Sequence, residues 1–390
     1  MRPIKHSLFL LFFLVLSAEI IQQHSPFIFA EPLQGSIKKM VKPTLYMDNW
    51  LSGNYQDSLM KFNEQDIGLH TFLIRLHNQI AYSIFGEINV NDVEAGKDQT
   101  LFETKYIKTY LGEDFAGENV IKENVKKLVY IKRELKKRNI DLLLVLVPGK
   151  PSLLAESLPT KYTFSKHYRT NYDAYTEHLQ KEKFDYIDFK NYFLKLNPRT
   201  PHALFTRLGT HWSLYAGTVA ADSLFSCMEH VHHIDMLNYT KNGGDETTKP
   251  RDSDADMEEP MNLLFHIPSY PMYYPNISFE TDPSKSKPDV LIIGDSFIWN
   301  WINYYPFFST MFDTRSSFWY YNTEVWWPLT PGQPKKKISE FNFDDETLKR
   351  DFIIIESTEN NLYNLGNNFI TNLYRSLKEK ELHPLDTKVN

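Results

Sequence analysis

Residues 289–297 have the sequence DVLIIGDSF, an apolar run that ends in a glycine, an aspartate and a serine. A continuous apolar run that ends in a turn is typical of a strand buried on both faces of a sheet. Comparable runs occur at four other places in the chain: DLLLVLVP (141–148), FDYIDF (184–189), FWYYN (318–322) and DFIIIES (351–357).

Helical stretches separate these runs. The clearest one begins at Glu118, where apolar residues recur at helical spacing with Lys, Arg and Glu between them. Its apolar positions are Ile121, Val125, Leu128, Ile131 and Leu135. Alternating strands and helices predict an α/β fold with a mostly parallel sheet flanked by helices.

The chain before this region has a different organisation. Arg2 and Lys5 precede an apolar run over residues 8–16, which is the layout of a secretory signal. We predict a signal peptide or membrane anchor over residues 1–30, with its cleavage left open, and a helical stem over residues 31–95. The main domain is predicted over residues 96–385, with a mobile acidic surface loop at about 242–260. These features predict a protein of the bacterial cell envelope, anchored or secreted on the periplasmic side of the inner membrane.

Composition narrows the class of ligand. The net charge of -6 argues against nucleic acid as a partner, and the single cysteine, Cys227, excludes an internal disulfide. Aromatic residues make up 15% of the chain, which fits a carbohydrate partner because sugar faces stack on aromatic rings. No nucleotide-binding or CxxC motif occurs in the sequence, so we expect neither a cofactor nor a metal ion.

Two segments carry residues suited to catalysis. Ser296 follows Gly294 at a strand-to-helix turn, where free backbone N–H groups stabilise a developing oxyanion. A serine hydroxyl needs an adjacent base to act as a nucleophile, and His211 is the candidate. The sequence therefore predicts a serine site with Ser296 as nucleophile and His211 as base.

The segment THW (210–212) upstream of GDSF (294–297) resembles the alginate O-acetyltransferase (AlgJ/AlgX-like) family of SGNH hydrolase-like proteins. Further segments follow in the family's order: WLSGNYQ (50–56), GKDQTLFETKYI (96–107), LVLVPGKPSLL (144–154), DADMEEPMNLL (254–264) and FIIIESTENNL (352–362). The resemblance implies an SGNH-type domain that transfers acetyl groups onto an exported polysaccharide through acetyl-Ser296. It also implies a membrane-bound O-acyltransferase partner that supplies the acetyl group.

One position departs from the family pattern, because Gly209 stands where the best-known members have an aspartate. An acid that orients His211 must then come from elsewhere, with Glu356, Glu359 and Asp295 as candidates, or the site works as a Ser–His dyad or has weak or no activity. The remaining candidates are two oxyanion donors besides the Ser296 N–H, Asn322 and Asn360, and two substrate-binding residues, Trp212 and Trp299.

Two rival functions stay open. The first is a polysaccharide acetyl esterase, which would use the same serine and histidine with water as the acceptor. The second is a non-catalytic polysaccharide-binding or scaffold subunit, which the missing aspartate at Gly209 makes plausible.

Overall fold

The computed structural model describes residues 2–35, 40–66, 68–327 and 336–382. The chain divides into two compact units, one of residues 1–91 and 257–267 and one of residues 92–256 and 268–390. The division at Asn91 and Asp92 lies close to the predicted boundary between stem and main domain. The predicted domain end at residue 385 lies outside the described residues.

The first unit is helical. Its α-helices in the described residues are α1 (Arg2–His24), α2 (Met47–Leu51), α3 (Asn54–Asp66) and α4 (His70–Ile80). Buried Arg75 of α4 donates hydrogen bonds to the carbonyl oxygens of Glu31, Pro32 and Leu263, so it joins three segments of this unit. Within the residues described, no helix has both the length and the apolar character needed to cross a bilayer.

The second unit contains every strand of the described chain. Its central sheet has seven strands in the order β10-β9-β8-β7-β11-β3-β4. Their bounds are β3 (Asp141–Val147), β4 (Ile187–Asp188), β7 (Val290–Gly294), β8 (Ser317–Tyr320), β9 (Glu324–Trp327), β10 (Lys336–Lys337) and β11 (Phe352–Thr358). All neighbours from β8 to β4 are parallel, whereas β9 and β10 add an antiparallel edge. The predicted α/β fold with a mostly parallel sheet is confirmed.

Helices cover both faces of this sheet. They are α5 (Thr104–Tyr110), α6 (Glu118–Lys136), α7 (Lys150–Leu153), α8 (Asn171–Lys181), α9 (Phe189–Leu196), α10 (Leu214–His232), α11 (Phe307–Met311), α12 (Phe343–Thr347) and α13 (Phe369–Leu382). Successive β3 residues point to opposite faces: Leu143 and Val145 pack with α9 and α10, and Leu142 and Leu144 pack with α6, α8 and α13. Full burial of one such apolar side chain stabilises the fold by about 1.5–3 kcal/mol. Because every side chain of a strand covered on both faces is buried, an apolar residue is favoured at each position of β3.

Two antiparallel two-stranded sheets complete the second unit. One joins β1 (Val93–Ala95) to β2 (Leu101–Glu103). The other joins β5 (Tyr239–Thr247) to β6 (Met272–Phe279). The prediction of a surface loop at 242–260 is therefore wrong, because this segment begins in β5 and then buries Asp254 and Ala255. The acidic composition of residues 242–260 is typical of a solvated loop. Contacts with distant segments, described below, nevertheless bury part of these residues.

Candidate active site

The site lies at the carboxyl end of the sheet, where β7 ends in a sharp turn. A Cβ atom at Gly294 would lie 2.6 Å from the Glu356 Oε2 atom, so only glycine allows this approach. After Gly294 the chain enters a 3₁₀ turn over Ser296–Ile298, and the Asp295 side chain caps it by accepting a hydrogen bond from the Phe297 N–H at 3.1 Å. This turn presents a partly exposed Ser296 above the sheet edge.

His211 meets Ser296 although 85 residues separate them in the sequence. The His211 Nε2 atom lies 2.8 Å from Ser296 Oγ, and the imidazole packs against the Phe297 ring with centroids 4.8 Å apart. Trp212 is buried directly after it, and Ser213 caps helix α10, so the histidine is attached to a rigid helix start. The structure therefore brings Ser296 and His211 together, and their roles as nucleophile and base stay predictions.

The acid that orients His211 is Asp256, which the sequence analysis did not single out. Its Oδ2 atom lies 2.5 Å from His211 Nδ1, and its Oδ1 atom accepts a hydrogen bond of 2.8 Å from the Thr210 N–H. The carboxylate thus binds both the imidazole and the backbone beside it. Ser296, His211 and Asp256 form a continuous chain of hydrogen bonds with the geometry of a serine triad.

Burial and charge act in opposite directions on His211, whose side chain is only 11% exposed. Burial lowers the pKa of the imidazole, but the charge and hydrogen bond of Asp256, with smaller contributions from Asp295 and Glu103, raise it above its usual value. The imidazolium form is therefore stabilised although the ring is largely buried. A base needs this property if it is to hold a proton during a reaction.

The turn that carries Asp256 packs tightly on the segment before His211. A Cβ atom at Gly209 would lie 2.4 Å from the Ser253 carbonyl oxygen. Two residues before Asp256, the buried Asp254 accepts a hydrogen bond of 3.3 Å from the first backbone N–H of α10, that of Leu214. The glycine therefore leaves the space that the turn with Asp256 occupies.

Comparison with known proteins shows the family to which this chain belongs. Residues 93–314, more than half of the chain, match the family model described as the SGNH hydrolase-like domain of the acetyltransferase AlgX. The chain belongs to this family. None of the curated proteins gives a significant match to it.

Solved structures of low sequence identity are also similar to this AlgX-family chain. The O-acetyltransferase domain of Pseudomonas putida AlgJ is 17% identical, with 73% of this chain and 99% of that one covered and a TM-score of 0.46. Pseudomonas aeruginosa AlgX is 15% identical, with 75% and 70% covered and a TM-score of 0.44. Bacillus cereus PatB1 is 11% identical, with 63% and 91% covered and a TM-score of 0.35.

The three acids predicted as orienting groups have other partners in this AlgX-family structure. Glu356 lies under the nucleophile turn and accepts the Asp295 N–H at 2.9 Å, and Asp295 in turn accepts bonds from Thr358 and Asn361. Burial and the negative charge of Asp295 raise the pKa of Glu356 well above its usual range, which favours the neutral form of this carboxyl group.

Glu359 is also turned away from the imidazole. It accepts hydrogen bonds from the Gly149 N–H, the Ser152 hydroxyl and Lys190. All three predictions of an orienting acid are therefore wrong, because these carboxyl groups already bind donors at the ends of β3, β7 and β11.

The other predicted residues fare differently. Asn322 donates one of its two amide N–H groups to the Asn367 carbonyl at 2.8 Å, and its role as an oxyanion donor stays a prediction. Trp212 is 0% exposed and packs on Phe297 within the core, so its prediction as a substrate-binding residue is wrong. Asn360 and Trp299 are partly exposed near this edge of the sheet, and their roles stay predictions. Within the described chain, no three His, Cys, Asp or Glu residues form a group that could hold a metal ion.

Proposed function

We propose that this chain is an O-acetyltransferase that modifies an exported or cell-envelope polysaccharide through an acetyl-Ser296 intermediate. The observation that carries the proposal is the hydrogen-bond chain from Ser296 through His211 to Asp256. Membership of a family of SGNH hydrolase-like acetyltransferases supports the same reaction class.

The first half-reaction loads the serine. Ser296 Oγ attacks the acetyl carbonyl carbon while His211 Nε2 takes the hydroxyl proton, so the new C–O bond forms as the carbonyl electron pair moves onto oxygen. The tetrahedral intermediate then collapses, and the leaving group departs with the proton from His211. General base assistance of this kind contributes about 10²–10⁴ in rate.

The second half-reaction transfers the acetyl group to the polymer. A sugar hydroxyl gives its proton to His211 Nε2 and attacks acetyl-Ser296, and Ser296 Oγ leaves with that proton. In both halves Asp256 stabilises the imidazolium and keeps the remaining proton on Nδ1. The Ser296 backbone N–H is the main oxyanion donor in this scheme, and Asn360 is the proposed side-chain donor.

The location and partner follow from the same proposal. The amino-terminal segment directs the chain to the periplasmic side of the inner membrane, where it works on the exported polymer. The resemblance to the alginate O-acetyltransferase family implies that a membrane-bound O-acyltransferase supplies the acetyl group.

An acetyl esterase is the second candidate, since Ser296 is partly exposed and water can approach it. The two functions share the first half-reaction and differ only in the acceptor. Incubation with an acetyl donor and an oligosaccharide separates them, because a transferase yields acetylated sugar where an esterase yields free acetate.

The serine itself is tested with a chromogenic acetyl ester. We expect turnover and one acetyl group on the Ser296 peptide, complete loss of both in Ser296→Ala, and wild-type behaviour in Ser309→Ala, which changes an exposed serine. Unchanged turnover in Ser296→Ala would reject the proposal. Glycan binding that survives loss of Ser296 and His211, without turnover in the parent, would instead indicate a scaffold subunit.

A further inference from the structure

Lys150 is a buried cation beside the site that the proposed mechanism does not use. It follows β3 at the start of α7, and it is only 2% exposed. Its Nζ atom donates to three backbone carbonyl oxygens, those of Leu101 at 2.5 Å, Arg207 at 2.9 Å and Gly209 at 2.9 Å. One side chain thus joins β2, the end of β3 and the segment that leads to His211.

The number of acceptors matches the charged form of this side chain. An ammonium group has three N–H donors and no lone pair, so it satisfies three carbonyl oxygens, whereas a neutral amine would turn its lone pair toward one of them. Burial lowers the pKa of Lys150 well below its usual range, Asp256 and Glu103 act in the opposite direction, and Arg207 adds to the lowering. The three carbonyl dipoles, each directed at Nζ, act in the same direction as Asp256 and Glu103 and favour the ammonium form.

The segment before His211 is held from two sides. Lys150 binds the carbonyl of Gly209, and Asp256 binds the N–H of the next residue, Thr210. These two contacts act on one peptide unit, whose orientation determines where the His211 side chain begins. A displacement of about 1 Å at such a position costs on the order of 10²-fold in rate.

We propose that Lys150 is a positioning residue, which holds the 207–211 backbone so that His211 Nε2 stays within reach of Ser296. The inference rests on the proposed function, because it assigns Lys150 to the same serine site. A positioning role differs from a purely structural role in one measurable respect, because Lys150 then affects turnover only when His211 is present.

A double-mutant cycle measures that dependence. The variants are Lys150→Met, His211→Ala and the combination, assayed on a chromogenic acetyl ester. We expect Lys150→Met to lower kcat about 10- to 100-fold with KM within twofold, and to have no further effect in the His211→Ala background. Lys285→Met is the control, because the Lys285 side chain is only 16% exposed and pairs with Asp235, but it precedes β7 at the amino end of the sheet, opposite the site.

The outcomes separate this inference from the proposed function. Equal losses of kcat from Lys150→Met with and without His211, or a kcat within twofold of wild type, would overturn the positioning role while Ser296 stays essential. Turnover unaffected by Ser296→Ala would instead overturn the proposed function. If Lys150→Met does not fold, the same cycle is run with Lys150→Arg, which keeps the charge but spreads its donors over a plane that cannot converge on three carbonyls.

Discussion

Replacing Asp256 by asparagine should damage the site more than its small change in shape suggests. Asp256 Oδ1 accepts the Thr210 N–H, so the single carbonyl oxygen of an asparagine would stay there. Its NH₂ group would then face His211 Nδ1, where Oδ2 now lies at 2.5 Å. Nδ1 would have to accept rather than donate, which moves the ring proton to Nε2 and removes the base that Ser296 needs.

The expected loss has two components. A hydrogen bond to a charged partner contributes about 1.5–3 kcal/mol, which corresponds to roughly 10- to 150-fold in rate. The reversed tautomer adds to this, so we expect kcat to fall about 10²- to 10⁴-fold. Asp256→Ala removes more atoms but imposes no tautomer, and it should retain more activity than Asp256→Asn.

The pH dependence of kcat/KM supplies an independent check. Activity requires neutral His211, so it is lost as the pH falls through the pKa of this group. Burial lowers that pKa and Asp256 raises it, hence loss of the Asp256 charge should move the acidic limb of the profile to lower pH. Asp252→Asn serves as the control, because it removes a charge from the same turn without a bond to the imidazole.

Kinetics on an acetyl ester between pH 5 and pH 9 would test both statements, with thermal melting to verify folding. The reasoning is refuted if Asp256→Asn keeps kcat within threefold of wild type, or if it is more active than Asp256→Ala. An acidic limb that stays in place would refute the account of the His211 pKa.

Three further predictions concern the surroundings of the triad. Gly209→Ala places a Cβ atom 2.4 Å from the Ser253 carbonyl oxygen, so we expect about 1–3 kcal/mol lower stability in urea unfolding and reduced turnover. Burial raises the pKa of Asp254 from 3.8 to about 8. The protonated side chain therefore contributes stability at low pH, and this contribution is lost as the pH rises through 8. In Asp254→Asn the free energy of unfolding should vary less between pH 4 and pH 9. The raised pKa of Glu356 favours its neutral form, so Glu356→Gln should melt within a few degrees of wild type. Glu356→Ala should lose about 2–4 kcal/mol in stability, because it leaves a cavity and an unpaired N–H.

Sequence patterns predicted the sheet better than its edges. The apolar runs that form β3, β7, β8 and β11 were recognisable from the local sequence. A strand that is covered on both faces of a sheet consists mostly of apolar residues, so its pattern does not depend on distant segments. The run at 184–189 yielded only the two-residue strand Ile187–Asp188, and β9 and β10 were not predicted. Short edge strands are determined by their pairing partners, which the local sequence does not contain.

The candidate site divides in a similar way. The glycine before Ser296 and the helix cap after His211 are local features, so both segments were visible in the sequence. Asp256 has no such signal, because it lies 45 residues beyond His211 in an acidic stretch where other aspartates surround it.

The amino-acid sequence by itself indicated the α/β class and the nucleophile turn, and it singled out Ser296 and His211 as candidate residues. Tertiary structure decided which of several acids faces the imidazole, and it buried Lys150 under the segment that holds His211. The physical reason is that the formation of turns and strands depends mainly on residues that are neighbours in the sequence. The partner of a charged side chain depends instead on which distant segments of the chain pack against it. Gly209 illustrates the difference. The glycine is visible in the sequence, but only the tertiary structure shows that the turn with Asp256 packs where a side chain at this position would lie.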